Sequence, residues 1–329
     1  MQLNQNEFIV NLMNLIVKTK LNRTTSGRRI NDLIDSVMVD NVSYGDSMAV
    51  ISVDTLATKD YSDQTSLLQK NLPKVDEQVL TTTDKKMIVV TINRYIMAGA
   101  FANEDSLSQC IAEIESMLDK TKNIYMYRKT VGAFENWKPV DPTDSTGIKL
   151  VNEGTQTKEI ELIDTTGMTG STLIESQKAN ALKVYQVIRS TSLAMQAPSR
   201  LYNEIKFEEM YNADDLIYIT NETFDTQINT YAIASLLNSD KLDNIKLYDK
   251  SIIIPSEQFT NADTKTKTIG WLASKYKYQI APRFITATSF FDGSTLNLNE
   301  FLHFWLISGF ARGLACTKFT AKYIAPASK

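Results

Sequence analysis

The chain has almost no histidine. Its single one, His303, sits in an aromatic run with Phe301, Phe304 and Trp305. A Ser-His-Asp relay or a histidine-based metal site would have to be built on it, and an isolated ring in such a run reads as a structural residue. Cysteine is nearly as scarce. Cys110 and Cys316 lie far apart in 329 residues, so neither a disulfide framework nor a metal-ligand spacing can be drawn. Both are expected as buried free thiols in a reducing compartment. No excess of charge exists: 35 Lys and Arg face 38 Asp and Glu, a net charge of -3. That excludes the whole-chain basic field of a nucleic-acid binder. Long apolar runs are also missing. Residues 8–17 are interrupted by Asn11 and Asn14 and are too short for a bilayer span or a signal segment. The most apolar late stretch, 301–316, holds His303 and Arg312. A soluble protein made inside a cell, without membrane association, is expected.

What is present supports a packed core. Hydrophobic residues make up 43% and charged residues 22%, enough for one large α+β domain or two entangled subdomains. Residues 1–45 form a leader with uneven charge. Between Glu7 and Asp32 there is no acid, while Lys18, Lys20, Arg23, Arg28 and Arg29 are all positive. Such a leader is either a solvated arm or an arm lying on an acidic neighbour. It has no interleaved aromatics, so it lacks the stacking platforms of single-strand binders, and contact with nucleic acid is expected to be weak or nonspecific. Its start, Ile9, Leu12, Met13, Leu15 and Ile16, has the spacing of a short amphipathic helix.

Residues 46–82 read as two strands, 47–53 and 75–82, around a polar middle with Asp60, Asp63 and Lys70. A two-stranded loop of this kind protrudes, buries little of itself and needs a partner to stay ordered. Asp60, Asp63 and Lys70 therefore join Lys18, Lys20, Arg23, Arg28 and Arg29 as candidates for inter-subunit or scaffold contacts.

Residues 83–198 open with a β-rich run over 86–97. A helix over about 104–132 follows, capped by Asn103 or Asp105. Leu107, Ile111, Ile114 and Leu118 repeat at helical spacing, with Cys110 and Met117 on the same side. Gly132 is expected to stop it, giving a rod of roughly 40 Å. Ile148 to Val151 and Glu159 to Ile163, between turn-rich stretches, predict a β-hairpin. A second helix is expected over 171–193, bounded by Pro198. Residues 199–265 alternate strand (216–220), helix (capped by Thr223 or Asp225, with Ile228, Tyr231, Ala232 and Leu236 on one face) and strand (251–255), a compact α/β unit. Residues 266–329 return to mainly extended structure.

Chemistry-bearing motifs fail one by one. Thr166-Gly167-Met168-Thr169-Gly170-Ser171 lacks the Gly-Lys-Ser/Thr ending of a phosphate loop and reads as a turn opening a helix. Asp144-Ser145-Thr146-Gly147 and Asp164-Thr165-Thr166-Gly167 have one residue too many for aspartic-protease motifs. Asp141 and Asp144 lack calcium-loop spacing. Asp214-Asp215 reads as a turn pair. No catalytic, cofactor-binding or metal-ligating residue is assigned.

The order of elements is more informative: basic arm, protruding loop, β-run, long helix, hairpin, helix, α/β unit, return strands. This resembles the major capsid proteins of tailed bacteriophages, the Hong Kong 97 (Johnson) fold, and is most similar to those of small phi29-like podoviruses. The stretches carrying the likeness are Glu104-Asp105-Ser106-Leu107, Ala213-Asp214-Asp215-Leu216-Ile217-Tyr218-Ile219 and Phe301-Leu302-His303-Phe304-Trp305. It covers roughly 40–320. The resemblance implies an N-terminal arm (1–45), an extended β-hairpin loop (46–82), a peripheral domain with a long spine helix and hairpin (83–198), an axial domain (199–265) and return strands to the peripheral domain (266–329). No extra C-terminal surface domain of the kind some relatives carry is expected. The resemblance further implies self-assembly into hexamers and pentamers of an icosahedral shell around double-stranded DNA, with scaffolding and portal partners. Synthesis would be in the host bacterial cytoplasm and residence in the virion capsid. It transfers no catalytic residue and no crosslinking lysine or asparagine. Three other readings compete: an encapsulin-like cellular nanocompartment shell, another phage structural protein such as a tail component, and an enzyme with an acidic site among Asp141, Asp144, Asp164 and Asp214.

Overall fold

The computed structural model describes residues 31–39, 47–56, 58, 72–93, 104–139, 153–233, 246–292, 294 and 297–325. In chain order its principal elements are α1 (Asp32–Asp35), β1 (Ser47–Val53), β2 (Val75–Asn93), α2 (Glu104–Asn136), α3 (Glu153–Gln156), β3 (Thr157–Ile163) and α4 (Gly170–Gln196). After these come β4 (Leu216–Asn221), α5 (Glu222–Gln227), a π-helical stretch (Ile228–Ile233), β5 (Lys250–Ile254), α6 (Ala262–Lys267), β6 (Thr268–Ser274), β7 (Tyr278–Asp292), β8 (Asn297–Phe310) and β9 (Cys316–Ile324). The chain divides into two compact units.

The first unit comprises Met1–Ala49, Val79–Thr130 and Tyr278–Gly309. Its sheet has the order β1-β2-β8-β7, with β2 and β8 antiparallel, Met87 opposite His303 and Val90 opposite Glu300. The strands expected at 75–82 and 86–97 are one strand as far as Asn93, and 94–97 lie outside the described residues. Residues 83–85, between the two expected runs, belong to the same strand, with a register shift between Thr82 and Asp84. A bulge of this kind absorbs the extra residue without ending the strand, and Asp84 then meets Lys129 of α2. Alternate β8 residues Glu300, Leu302, Phe304 and Leu306 are buried. Tyr125 of α2 sets its ring edge-on to Phe304, 5.6 Å between centroids. Leu118 is buried beside Leu302, whereas Met117 is exposed, since one residue turns a helix by about 100°. The side chains of Leu107, Cys110, Ile111 and Ile114 lie outside the described residues.

Part of the expected leader is folded. Asn31 caps α1 by accepting from Leu33 N at 2.8 Å, and Leu33, Ile34 and Val37 are buried. Val39 N donates to Ile280 O and Ile280 N to Val37 O. Residues 31–39 are therefore body, not arm, because three apolar side chains on one turn cannot stay in water.

The second unit comprises Val50–Gln78, Val131–Lys277 and Phe310–Lys329. Its five-stranded sheet has the order β3-β9-β6-β4-β5. β4 pairs parallel with β5 and antiparallel with β6, while β9 pairs antiparallel with β6 and parallel with β3. The central strands β4 and β6 are buried at every residue, as continuous apolar runs such as Leu216-Ile217-Tyr218-Ile219 require. Ile160, Val184, Ile188, Met195, Leu216, Leu272 and Phe319 form the core under α4. Each such side chain contributes on the order of 2 kcal/mol by leaving water. Asn180 of α4 both accepts from Ile163 N and donates to Ile163 O, at 2.8 and 2.9 Å, and so satisfies the end of an outer strand.

The hairpin expected of 148–151 with 159–163 has its first strand outside the described residues; β3 pairs with β9, a strand some 160 residues away. Other local expectations are corrected. α2 runs through Gly132 to Asn136, a rod of about 50 Å. Glycine costs a helix roughly 1 kcal/mol, but burying Phe134 and Trp137 just beyond it outweighs that. Asn221, not Thr223 or Asp225, caps α5, accepting from Thr223 N. The second helix matches its expected span. Ala197 is extended, as a residue before proline should be. Gly167 and Gly170 open it with positive φ of 78° and 65°, conformations that favour glycine.

Candidate assembly surface

The candidate contact residues Lys18, Lys20, Arg23, Arg28, Arg29, Asp60, Asp63 and Lys70 all lie outside the described residues, as do Asp141 and Asp144. The described acids of the enzyme reading do not converge. Asp164 accepts from the N–H and hydroxyl of its neighbour Thr166, bonds that hold its carboxyl below the usual range. Asp214 pairs with Lys246, and Asp215 closes a capping box with Asn212, which makes the pair a turn. His303 faces Thr288, Nε2 to Oγ1 3.2 Å. Cys316 is free and buried, and burial pushes its thiol up to about 12, where it is inert at neutral pH. Among the described residues no group of His, Cys, Asp and Glu could hold a metal ion, and no helix is long and apolar enough to cross a membrane.

What the structure does build is a pair of strands with a bare face, bolted at the base. Along β1 exposure alternates strictly, and Ile51 and Val53 are 63% and 50% exposed. In the same unit Leu56, Leu72 and Val75 are exposed as well. In the first unit Val79, Met87 and Val89 are exposed along β2. Scattered exposed apolar residues are ordinary. Several on one strand stretch, interspersed on β2 with the exposed Glu77, Thr81, Thr83 and Lys85, are in each unit a surface that wants cover.

The base is fixed within the second unit. Asp54, the residue after β1, donates its N–H to Lys74 O at 2.9 Å. Its Oδ1 accepts from Glu208 N and Thr55 N, both at 3.0 Å. Its Oδ2 lies 3.4 Å from Arg200 Nη1, and Arg200 Nη2 also reaches Glu208 at 3.2 Å. The Glu208 N–H, aided by the Arg200 charge and the Thr55 N–H, holds the Asp54 carboxyl below its usual range. On the β2 side Gln78 donates to Phe310 O and accepts from Arg312 N. Asp76 pairs with Arg312 at 3.3 Å. Gly313 passes so close to Ser52 that a Cβ there would run into its side chain, which is why a glycine occupies the place.

These anchors stand on a rigid platform. Ser199 and Glu209 exchange backbone hydrogen bonds. Between them Asn203 braces the turn by bonding both N–H and C=O of Phe207, which supports Lys206 at a φ of 59°. Lys277, fully buried, donates to Glu204 Oε1 at 3.0 Å, Ala311 O at 3.0 Å and Leu314 O at 2.8 Å, and lies over the Trp137 ring at 5.8 Å. One ammonium thereby ties the 199–209 turn to the 310–315 connection. Sequence reasoning missed this node. Lysine is the residue least expected inside, and nothing around Lys277 marks it as internal.

The fold is shared with phage capsids. The capsid structure of Staphylococcus phage Andhra matches with a TM-score of 0.56 at 12% identity, over 90% of this chain and 84% of that chain. The capsid structure of cyanophage P-SCSP1u matches at 0.53 and 14%, over 91% and 90%. The mature capsid of bacteriophage PhiM1 matches at 0.50 and 12%, over 90% and 89%. These likenesses define the class, a Hong Kong 97-like capsid fold. The family model for Phi29-like phage major capsid protein matches residues 1–314, and the chain belongs to that family. It is a structural component of the virion that assembles into a capsid shell with other copies. No curated protein sequence matches the chain.

Proposed function

We propose that the subunit forms hexamers and pentamers of an icosahedral head enclosing double-stranded DNA, and that it carries no enzymatic activity. Assembly would use scaffolding and portal partners, with synthesis in the host bacterial cytoplasm. The observation that carries this reading is the set of exposed apolar residues on β1 and β2, beside a base that is firmly held within the second unit. Among the described residues of each unit nothing covers these side chains, as expected when sister copies supply the cover. A standard contact of this kind buries on the order of 800 Å² per partner. The basic residues Lys18, Lys20, Arg23, Arg28 and Arg29, and Asp60, Asp63 and Lys70 of the loop, are proposed to meet neighbouring subunits or the scaffold. The balanced net charge suits a container whose wall does not hold DNA tightly. Electron microscopy of the expressed chain, alone and with the neighbouring gene products, tests the reading. Icosahedral particles holding DNA support it. Tubes point to a tail role, particles with protein cargo to a cellular compartment, and a monomer that turns over a substrate to an enzyme; each of these overturns it.

A further inference from the structure

Asp54 differs from the other anchors of the strand pair. Gln78 and Gly313 hold their partners through neutral contacts, and Asp76 pairs with a single cation. The Asp54 side chain is 5% exposed while its partners Arg200 and Glu208 are 49% and 41% exposed. A buried carboxylate therefore gathers two backbone N–H groups and one guanidinium at the point where the chain turns out of β1. Two of those three donors belong to the 199–209 turn. Charge-assisted bonds to fixed backbone groups are directional, so they fix an angle as well as a distance. The β2 side of the same pair is anchored to a different segment, 310–313. Two anchors on two braced segments define a tilt, which a single anchor would leave free.

We infer that Asp54 is a positioning residue for assembly: within the second unit it fixes residues 50–56 and 74–78 on the 199–209 turn, and with them the exposed Ile51, Val53 and Val75 that a neighbouring copy would meet, and so which closed shells the subunits form. The inference rests on the shell-building role proposed above. A wall closes at a given size only if each copy presents its contact surface at a repeated angle. A subunit with a loosened strand pair would still fold and still associate, with a broader range of angles.

The test compares the full chain with Asp54→Ala and Asp54→Asn, and uses Val184→Ala, in the core under α4, as a control that weakens the second unit without touching either anchor. Hydrogen exchange on unassembled chain comes first. Loss of the latch should speed exchange of amides in 50–56 and 74–79 about tenfold and leave β6 unchanged. Particle diameters by electron microscopy come second. The Asp54 variants should give a broadened or shifted distribution, with Asp54→Ala worse than Asp54→Asn. Val184→Ala should lower thermal stability yet give wild-type diameters from whatever fraction stays folded. Exchange that is unchanged, or raised uniformly across the unit, overturns the inference, as do wild-type diameters from Asp54→Ala. If the wild-type chain forms no shells at all, the shell role fails, and with it the consequence for shell size. The exchange pattern still decides whether Asp54 holds the strands.

Discussion

Replacing Lys277 with methionine keeps the buried stem and removes the ammonium. Three acceptors lose their donor at once: Glu204 Oε1, Ala311 O and Leu314 O. The carboxylate matters most. The Lys277 side chain is 0% exposed and that of Glu204 is 8%, so Glu204 cannot turn to water without moving the 199–209 turn. Breaking a buried pair by deleting one partner costs about 3–5 kcal/mol, and the two carbonyls each lose a charge-assisted bond on top of that. A loss of about 4 kcal/mol or more follows, a large share of the margin of an ordinary domain. The second variant is diagnostic. Lys277→Met with Glu204→Leu removes the stranded charge and leaves two carbonyls unsatisfied, so it should recover about 2 kcal/mol relative to Lys277→Met alone. Urea unfolding followed by tryptophan fluorescence reads both, since Trp137 lies beside the ammonium. A loss under about 1 kcal/mol for the single change, or a double variant no more stable than the single one, would refute the assignment of Lys277 as the tie of the platform.

Three other outcomes are expected. Gly132 lies in α2 with nothing within 4 Å of the place a methyl group would take, so Gly132→Ala should raise stability by roughly 1 kcal/mol, read as an increase in Tm. Gly270 lies in β6 where a Cβ would run into Ile219 O and sit 3.1 Å from Thr220 Cα. Gly270→Ala should therefore cost on the order of 3 kcal/mol and reduce soluble expression. Glu300 on β8 is buried, its Oε1 lacks a partner among the described residues, and burial raises its carboxyl to about 7. The unfolded chain releases this proton near the ordinary 4.5, so stability falls as pH rises from there to about 7. Glu300→Gln should flatten that slope and, after discounting for solvent screening, raise stability at pH 8 by on the order of 1 kcal/mol, measured as Tm against pH.

What could be read from the sequence follows from how local each signal is. β4 and β5 announce themselves as apolar runs, and α4 by its spacing and Pro198. The order of elements was enough to place the chain among phage capsid proteins. The β3–β9 pairing was not legible: a parallel pair some 160 residues apart leaves no turn chemistry between its strands. The single long strand β2 was read as two runs because the bulge between Thr82 and Asp84 has no local apolar pattern to mark it. Val37 and its neighbours were hidden in a leader judged by its charges, although Leu33 and Ile34 already spelled a buried turn. Asp54 was invisible for a different reason. Its partners, Arg200 and Glu208, come from a segment with no periodic pattern, and only the fold brings them together.

Sister copies should cover the exposed apolar residues of β1 and β2. Hydroxyl-radical footprinting compares Ile51, Val53, Val75, Val79, Met87 and Val89 in unassembled chain and in purified particles. Protection of these side chains on assembly, with Leu201 and Met210 serving as internal references, is the expected result. Equal labelling of all six in chain and particle would contradict it.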